Sequence, residues 1–188
     1  MNKPVLMIHE IERRYLTLNL SNYILTFDDA LYSQYYYWPI LSTFNTQKIL
    51  FVSGALINNF PKRPYFTGEF KTFPTCFEAM SRWEETGNLF DYMLVDEIKV
   101  LVRESSDLII GGHGYSHIRT YSTRLQEKVE EIKRDTELML EWFEINLGFL
   151  PIHYCFPFNN EEFLMKEILK EYGFKHFYGG ERINIEDL

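Results

Sequence analysis

The sequence predicts an α/β protein built on a parallel sheet. Two observations lead there. Short apolar runs alternate with longer segments of helical period along most of the chain. Three clusters of chemistry-bearing residues also fall at the C-terminal ends of the apolar runs, where parallel sheets build their sites because the loops there are free to vary.

Taken in order, the apolar runs at 4–9, 23–27, 48–53, 107–111, 152–156 and 174–178 read as strands. Helices are expected over 30–44, 95–104, 122–147 and 161–172. The helix over 122–147 is the best marked. Leu125, Val129, Ile132, Leu138, Met139, Trp142 and Ile145 form one apolar stripe, Gly148 stops it and Pro151 follows. One stretch, 58–92, loses its period and fills with aromatics and breakers, among them Phe60, Pro61, Pro64, Tyr65, Phe66, Phe70, Phe73, Phe77, Trp83 and Phe90. A long irregular segment of this composition is not disordered. It reads either as a small satellite core or as a wall whose aromatic faces stack on a ligand.

The 188 residues form one expected domain, 1–188, with 46% hydrophobic and 24% charged residues. The formal charge of -8 disfavours nucleic acid and anionic lipid as partners. Thirteen Tyr, sixteen Phe and three Trp make aromatics the outlier at 17%. Cys76 and Cys155 are too few for a disulfide framework. The apolar run Val5 to Ile8 is broken by His9 and Glu10, too short for a signal peptide. The window from Ile49 to Ile57 is far below the roughly 18 residues that cross a bilayer. A cytoplasmic protein with no transmembrane segment is therefore expected.

The first chemical cluster is Thr26-Phe27-Asp28-Asp29. Adjacent carboxylates both ionise only where a cation or donors neutralise them. The structural alternative is a pair of aspartates capping a helix that starts near Ala30. The second is Gly111-Gly112-His113-Gly114-Tyr115-Ser116-His117. Histidines four apart share one face of a helical turn and can reach one metal, and the diglycine permits close backbone approach. The third, Cys155-Phe156-Pro157-Phe158-Asn159, is by itself only a strand-to-helix turn.

In this order and content the three clusters resemble the polysaccharide deacetylases of carbohydrate esterase family four, with their NodB-type domain. Pro4-Val5-Leu6-Met7-Ile8-His9 is similar to the opening strand of the permuted branch that includes poly-N-acetylglucosamine deacetylases, and Tyr172-Gly173-Phe174-Lys175 to its last strand. The resemblance implies a deformed, incomplete (β/α) barrel of about six or seven parallel strands around one divalent transition metal, zinc first, with cobalt or nickel as alternatives. It implies Asp29, His113 and His117 as ligands, Asp28 as general base and His9 as the acid for the leaving amine, with His176 and then His153 in reserve. Phe158, with Pro157 and Asn159 beside it, would face substrate and the oxyanion. One carboxylate and two neutral imidazoles suit zinc and leave a coordination position open.

The implied activity is removal of N-acetyl groups from a sugar. The substrate would be lipid-linked, nucleotide-linked or oligomeric, a precursor of a surface polysaccharide. Arg119, Arg124 or Arg182 would meet any phosphate it carries. Two other readings stand beside this one: a non-catalytic glycan-binding or assembly module of the same fold, and a hydrolase of small cyclic amides or imides. The chain departs from the family where many members have an Arg that pairs with the base, since Cys155 stands there. It also has Asn159 for the usual Gly, a residue that tolerates positive φ. The link from His9 to Asp28 is short for a strand-helix-strand crossover.

Overall fold

A computed structural model describes residues 3–58, 63–119 and 121–188; Phe60 and Pro61 of the aromatic stretch lie outside the described residues. Seven strands form one sheet in the order β6-β5-β4-β3-β2-β1-β7. They are β1 (Val5–Ile8), β2 (Ile24–Phe27), β3 (Lys48–Val52), β4 (Leu108–Gly112), β5 (His153–Cys155), β6 (His176–Tyr178) and β7 (Ile183–Asn184). Every pairing is parallel. Both faces of the sheet are covered, which is why the strands read as nearly continuous apolar runs. Leu6, Ile8, Leu25, Phe27, Leu50, Val52, Tyr154 and Phe156 join the large core. Ile49, Phe51 and Cys155 alternate onto the opposite face as a small cluster with Ile24, Ile109 and Tyr178.

The order of the strands forces the sheet to curl. β6 and β7 are the two outermost strands, yet only residues 179–182 join them. An extended chain from Tyr178 to Ile183 reaches at most about 18 Å. The two edges therefore face each other across a narrow seam, and the sheet is the incomplete barrel that the sequence led us to expect. β7, at two residues, is too short to show any periodicity and had not been anticipated.

The helices are α1 (Tyr32–Tyr36), α2 (Trp38–Leu41), α3 (Cys76–Thr86), α4 (Val95–Glu104), α5 (Leu125–Leu147) and α6 (Phe163–Glu171). α4 and α5 lie where the apolar period put them, and α5 stops at Gly148, whose φ of 77° is left-handed. The single helix expected over 30–44 is instead two short ones, broken where Tyr37 leaves helical geometry and Pro39 enters the first turn of α2. The short link between β1 and β2 needs no α-helix, because two 3-10 turns, Tyr15–Thr17 and Leu20–Asn22, make the crossover.

The aromatic stretch divides its work. Tyr65 stacks on Tyr35 with ring centroids 4.2 Å apart, while Phe66, Phe70 and Phe73 pack on Tyr36 and Tyr37. The hydroxyls of Tyr32, Tyr36 and Tyr37 donate to the carbonyls of Pro64, Glu69 and Lys71. That part is core. α3, opened by a capping box between Thr75 and Glu78, supplies Thr75, Cys76, Phe77 and Met80 to the wall of the main cavity. Most of the aromatic faces are thus covered by tyrosines, and Phe77, 74% exposed, is the ring this segment presents at the cavity.

Candidate metal centre and its cavity

The ends of β1, β2 and β4 and the turn after β5 open into one cavity of about 380 Å³. Asp29 leaves β2 in left-handed backbone, with φ of 67°, followed by Ala30 at 53°. This turn rules out the helix-cap reading of the aspartate pair: α1 begins only at Tyr32, with Leu31 before it and no side-chain cap. It aims the carboxylate at the loop after β4. Asp29 Oδ1 lies 3.3 Å from His113 Nε2 and 3.1 Å from His117 Nε2. One ligand atom from each residue falls within 4.8 Å of the others, and all three side chains are buried.

Residues 113–117 are not the helical turn that their spacing suggested. They form an open loop in which Gly114 and His117 take positive φ, 73° and 50°, and that geometry brings both imidazoles to Asp29. The diglycine permits close packing, but against the Phe51 ring and Met139 rather than against the trio. A Cβ on Gly111 would stand 2.6 Å from the Phe51 ring, and one on Gly112 would stand 2.5 Å from Met139 Sδ.

The donor set fits a divalent cation. Asp29 Oδ1 is buried and has no hydrogen-bond partner among the described residues, although two ring nitrogens face it. A buried acceptor left so costs about 1–3 kcal/mol or more for a charged group. Burial pushes the Asp29 carboxyl up, but the adjacent His117 and His113 outweigh it and hold the group well below the carboxylate range. His113 Nδ1 meets the Cys155 carbonyl at 2.8 Å, which turns Nε2 toward Asp29. A second grouping of Asp28, His113 and Cys155 is also compact, but its members are engaged with one another and with Arg182. Burial pushes the Cys155 thiol up to about 11, and Asp28 is already paired with Arg182.

No protein-family model and no curated protein matches this sequence. Solved structures do match. IcaB from Ammonifex degensii aligns over 97% of this chain and 91% of its own, with a TM-score of 0.65 at 16% identity. A polysaccharide deacetylase from Bacillus cereus gives 0.66 at 12% identity over 97% and 64% of the two chains. A de-N-acetylase from Aggregatibacter actinomycetemcomitans gives 0.62 at 10%, over 97% and 77%. The chain has the polysaccharide deacetylase fold.

Within this deacetylase fold, Asp28 sits beside the three convergent side chains, and its partner is the main surprise. Arg182 is one of the three arginines from which a contact to substrate phosphate is expected. Instead it is buried and clamps Asp28, with Nη1 donating to Oδ1 at 2.7 Å and Nη2 to Oδ2 at 2.8 Å. Its remaining N–H groups donate to Thr26 Oγ1, Asn159 Oδ1 and the Gly179 carbonyl, so all five guanidinium donors are satisfied. Burial pushes the Asp28 carboxyl up, but the Arg182 charge and its hydrogen bonds hold it below the ordinary range. The Cys155 thiol adds a 3.5 Å contact to Oδ2. Cys155 therefore does not leave Asp28 poorly oriented, because a guanidinium from the barrel seam does that work.

His9 also lines the cavity, with Nε2 3.9 Å from Asp28 Oδ2. The reserve histidines do not. His153 and His176 pair across β5 and β6 and stack at 4.3 Å, with His153 on the Tyr178 hydroxyl, and neither lines the cavity. Phe158 and Asn159 reach the cavity with φ of 56° and 54°, whereas Pro157 is buried behind them. Arg119 stacks over Phe158 at 4.3 Å at the cavity, while Arg124 pairs with Glu127 away from it.

Two positioning residues had no sequence signal. Gln34 is fully buried, and its Nε2 donates to the carbonyls of both His9 and Asp28, at 2.6 and 2.7 Å. Asp135 on α5 accepts the N–H groups of Tyr115 and Ser116, both at 2.9 Å, and so anchors the loop between the two histidines. Among the described residues, the five non-glycine positions with positive φ are Asp29, Ala30, His117, Phe158 and Asn159. Strain of about 1–3 kcal/mol each is concentrated at this one place.

Proposed function

We propose that the protein is a metal-dependent hydrolase that removes N-acetyl groups from an N-acetylated sugar, a precursor of a surface polysaccharide. The observation that carries this reading is the convergence of Asp29, His113 and His117 in the same cavity that Asp28 and His9 line. The similarity in fold to solved deacetylases supports it.

Asp29 Oδ1, His113 Nε2 and His117 Nε2 would hold a divalent ion, zinc by the character of the donors. When bound, that ion supplies Lewis acidity, which polarises an amide carbonyl and makes a water acidic enough to attack it. The protein's own groups move the protons. Asp28, kept ionised by Arg182, accepts a proton from the attacking water. His9, within reach of Asp28, delivers one to the amine nitrogen as the C–N bond breaks, leaving acetate and a free amine. The N–H groups of Asn159 and Asn160 are committed to the Phe156 and Pro157 carbonyls. The amide of Phe158 is then the donor that the turn offers to a developing oxyanion. The exposed face of Phe77 is suited to the apolar face of a sugar ring.

The test is release of acetate by zinc-loaded protein from short N-acetylglucosamine oligomers, with cyclic imides as the competing class. Asp29→Asn should remove both bound metal and turnover. Asp28→Asn should retain the metal and lose turnover. Hydrolysis of the imides alone, or full activity in Asp28→Asn, would overturn the proposal.

A further inference from the structure

Most polar side chains around the cavity already have protein partners. Asp28 is taken by Arg182, as is Asn159 Oδ1. Thr75 is bound in its capping box, Asn184 Oδ1 accepts the Glu186 N–H, and the Tyr15 hydroxyl is bonded to Arg14. Arg119 lies on the Phe158 ring. A sugar bound here has several hydroxyls to satisfy and few groups left to satisfy them.

Among the buried side chains outside the Asp29, His113 and His117 trio, Glu10 is the exception; Glu186 also lines the cavity but is exposed to solvent. Glu10 immediately follows His9, lines the cavity and is only 9% exposed, yet no cation pairs with it among the described residues. Its hydrogen bond to the protein is from the Cys76 N–H to Oε2, at 3.1 Å. The Cys76 thiol faces the same carboxylate and stays protonated, pushed up to about 12 by burial and then by Glu10. A carboxylate offers about four acceptor sites and no donor. Acceptor capacity is therefore left over inside the cavity, beside the residue that would protonate the leaving amine. A buried carboxylate with spare lone pairs calls for a donor from the ligand.

We propose that Glu10 is a specificity residue that accepts a hydrogen bond from a ring hydroxyl of the sugar being deacetylated. The inference rests on the deacetylase reading and sharpens it, because it requires a hydroxylated substrate and rejects an amide or imide of similar size without that donor. A site built to accept a hydroxyl discriminates strongly against the analogue that lacks it.

The experiment uses the zinc-loaded, full-length protein and compares methyl N-acetylglucosaminide with its singly deoxygenated analogues, reading acetate release. The wild type should lose about 10- to 100-fold in kcat/KM on one analogue, the effect of a hydrogen bond to a charged group. Glu10→Gln retains an acceptor for the Cys76 N–H. It should bind zinc as the wild type does, turn over the parent sugar more slowly, and lose most of the discrimination against that analogue. Should this variant fail to fold, Glu10→Asp, which withdraws the carboxylate by one methylene, carries the same comparison. Equal rates across the deoxygenated series, or undiminished discrimination in the variant, would overturn the role of Glu10 while leaving deacetylation intact. A zinc-loaded wild type that releases no acetate from any sugar would overturn both.

Discussion

Replacing Arg182 by Met probes the link between the barrel seam and Asp28, the proposed base. The side chains of Arg182 and Asp28 are 1% and 2% exposed, and two hydrogen bonds of 2.7 and 2.8 Å join them. Methionine preserves much of the volume but leaves a carboxylate that is only 2% exposed without its counter-charge. Removing one partner of such a pair costs about 3–5 kcal/mol. For a chain of this size that corresponds to a melting temperature lower by roughly 6–20 °C. The pH dependence gives a second reading. In the wild type the Asp28 carboxyl lies below its ordinary 3.8, so its contribution is complete at neutral pH and is lost as the pH falls through the folded-state value. In the variant the largest opposing influence is gone and only His113 and His9 still act against burial, so the carboxyl rises and protonation relieves the stranded charge. The stability deficit, measured from urea midpoints, should therefore narrow as the pH is lowered from neutrality. Adding Asp28→Asn to Arg182→Met should recover part of the loss, the signature of a coupled pair. A deficit below about 1 kcal/mol, or one that does not change with pH, would refute the assignment of Arg182 as the partner of Asp28.

Three further outcomes follow from the same geometry. Asp135→Asn leaves one acceptor where the Tyr115 and Ser116 N–H groups need two, so zinc affinity by chelator competition should fall about 10- to 100-fold. Gly111→Ala places a Cβ 2.6 Å from the Phe51 ring and 2.9 Å from the His153 carbonyl oxygen, and its urea midpoint should report a loss of about 1–3 kcal/mol. Burial, and then His176, push His153 down to about 4 from 6.5, so acidification protonates this group in the unfolded chain first. Wild-type stability should drain away between about pH 6.5 and pH 4, and His153→Gln should flatten that part of the profile; equal slopes would contradict the assignment.

The parts of the molecule that were legible in the sequence are those governed by local rules. The strands were readable because both faces of the sheet are buried, and α4 and α5 because an apolar stripe repeats along them. The convergent trio of Asp29, His113 and His117 was readable as two local clusters, although nothing in the spacing of His113 and His117 revealed that an open loop rather than a helical turn presents them. α3 had a readable signal, Thr75 followed three residues later by Glu78, which the surrounding aromatics and prolines obscured. Gln34 and Asp135 gave no signal because each acts on main-chain atoms of other segments, and a side chain bonded to a carbonyl or an N–H leaves no residue-type pattern at its target.

Arg182 marks the boundary between what local pattern and what topology can reveal. At the position where the family resemblance leads one to expect a guanidinium, this chain has Cys155, whose thiol lies 3.5 Å from Asp28 and carries no charge. Read along the chain, that looks like a lost function. In three dimensions the requirement is a cation with donors enough to orient Asp28 and its neighbours, and any backbone passing that point can supply one. The four-residue link across the seam between β6 and β7 passes it, and its last residue is Arg182, 154 positions from Asp28 in sequence. The same guanidinium holds Thr26 on β2, Asn159 after β5 and the Gly179 carbonyl, so one side chain both ties together segments near the seam and fixes Asp28. A barrel that leaves its seam open creates the opening through which such a residue enters. The departure at Cys155 and the incompleteness of the sheet are, on this view, two sides of one structural solution.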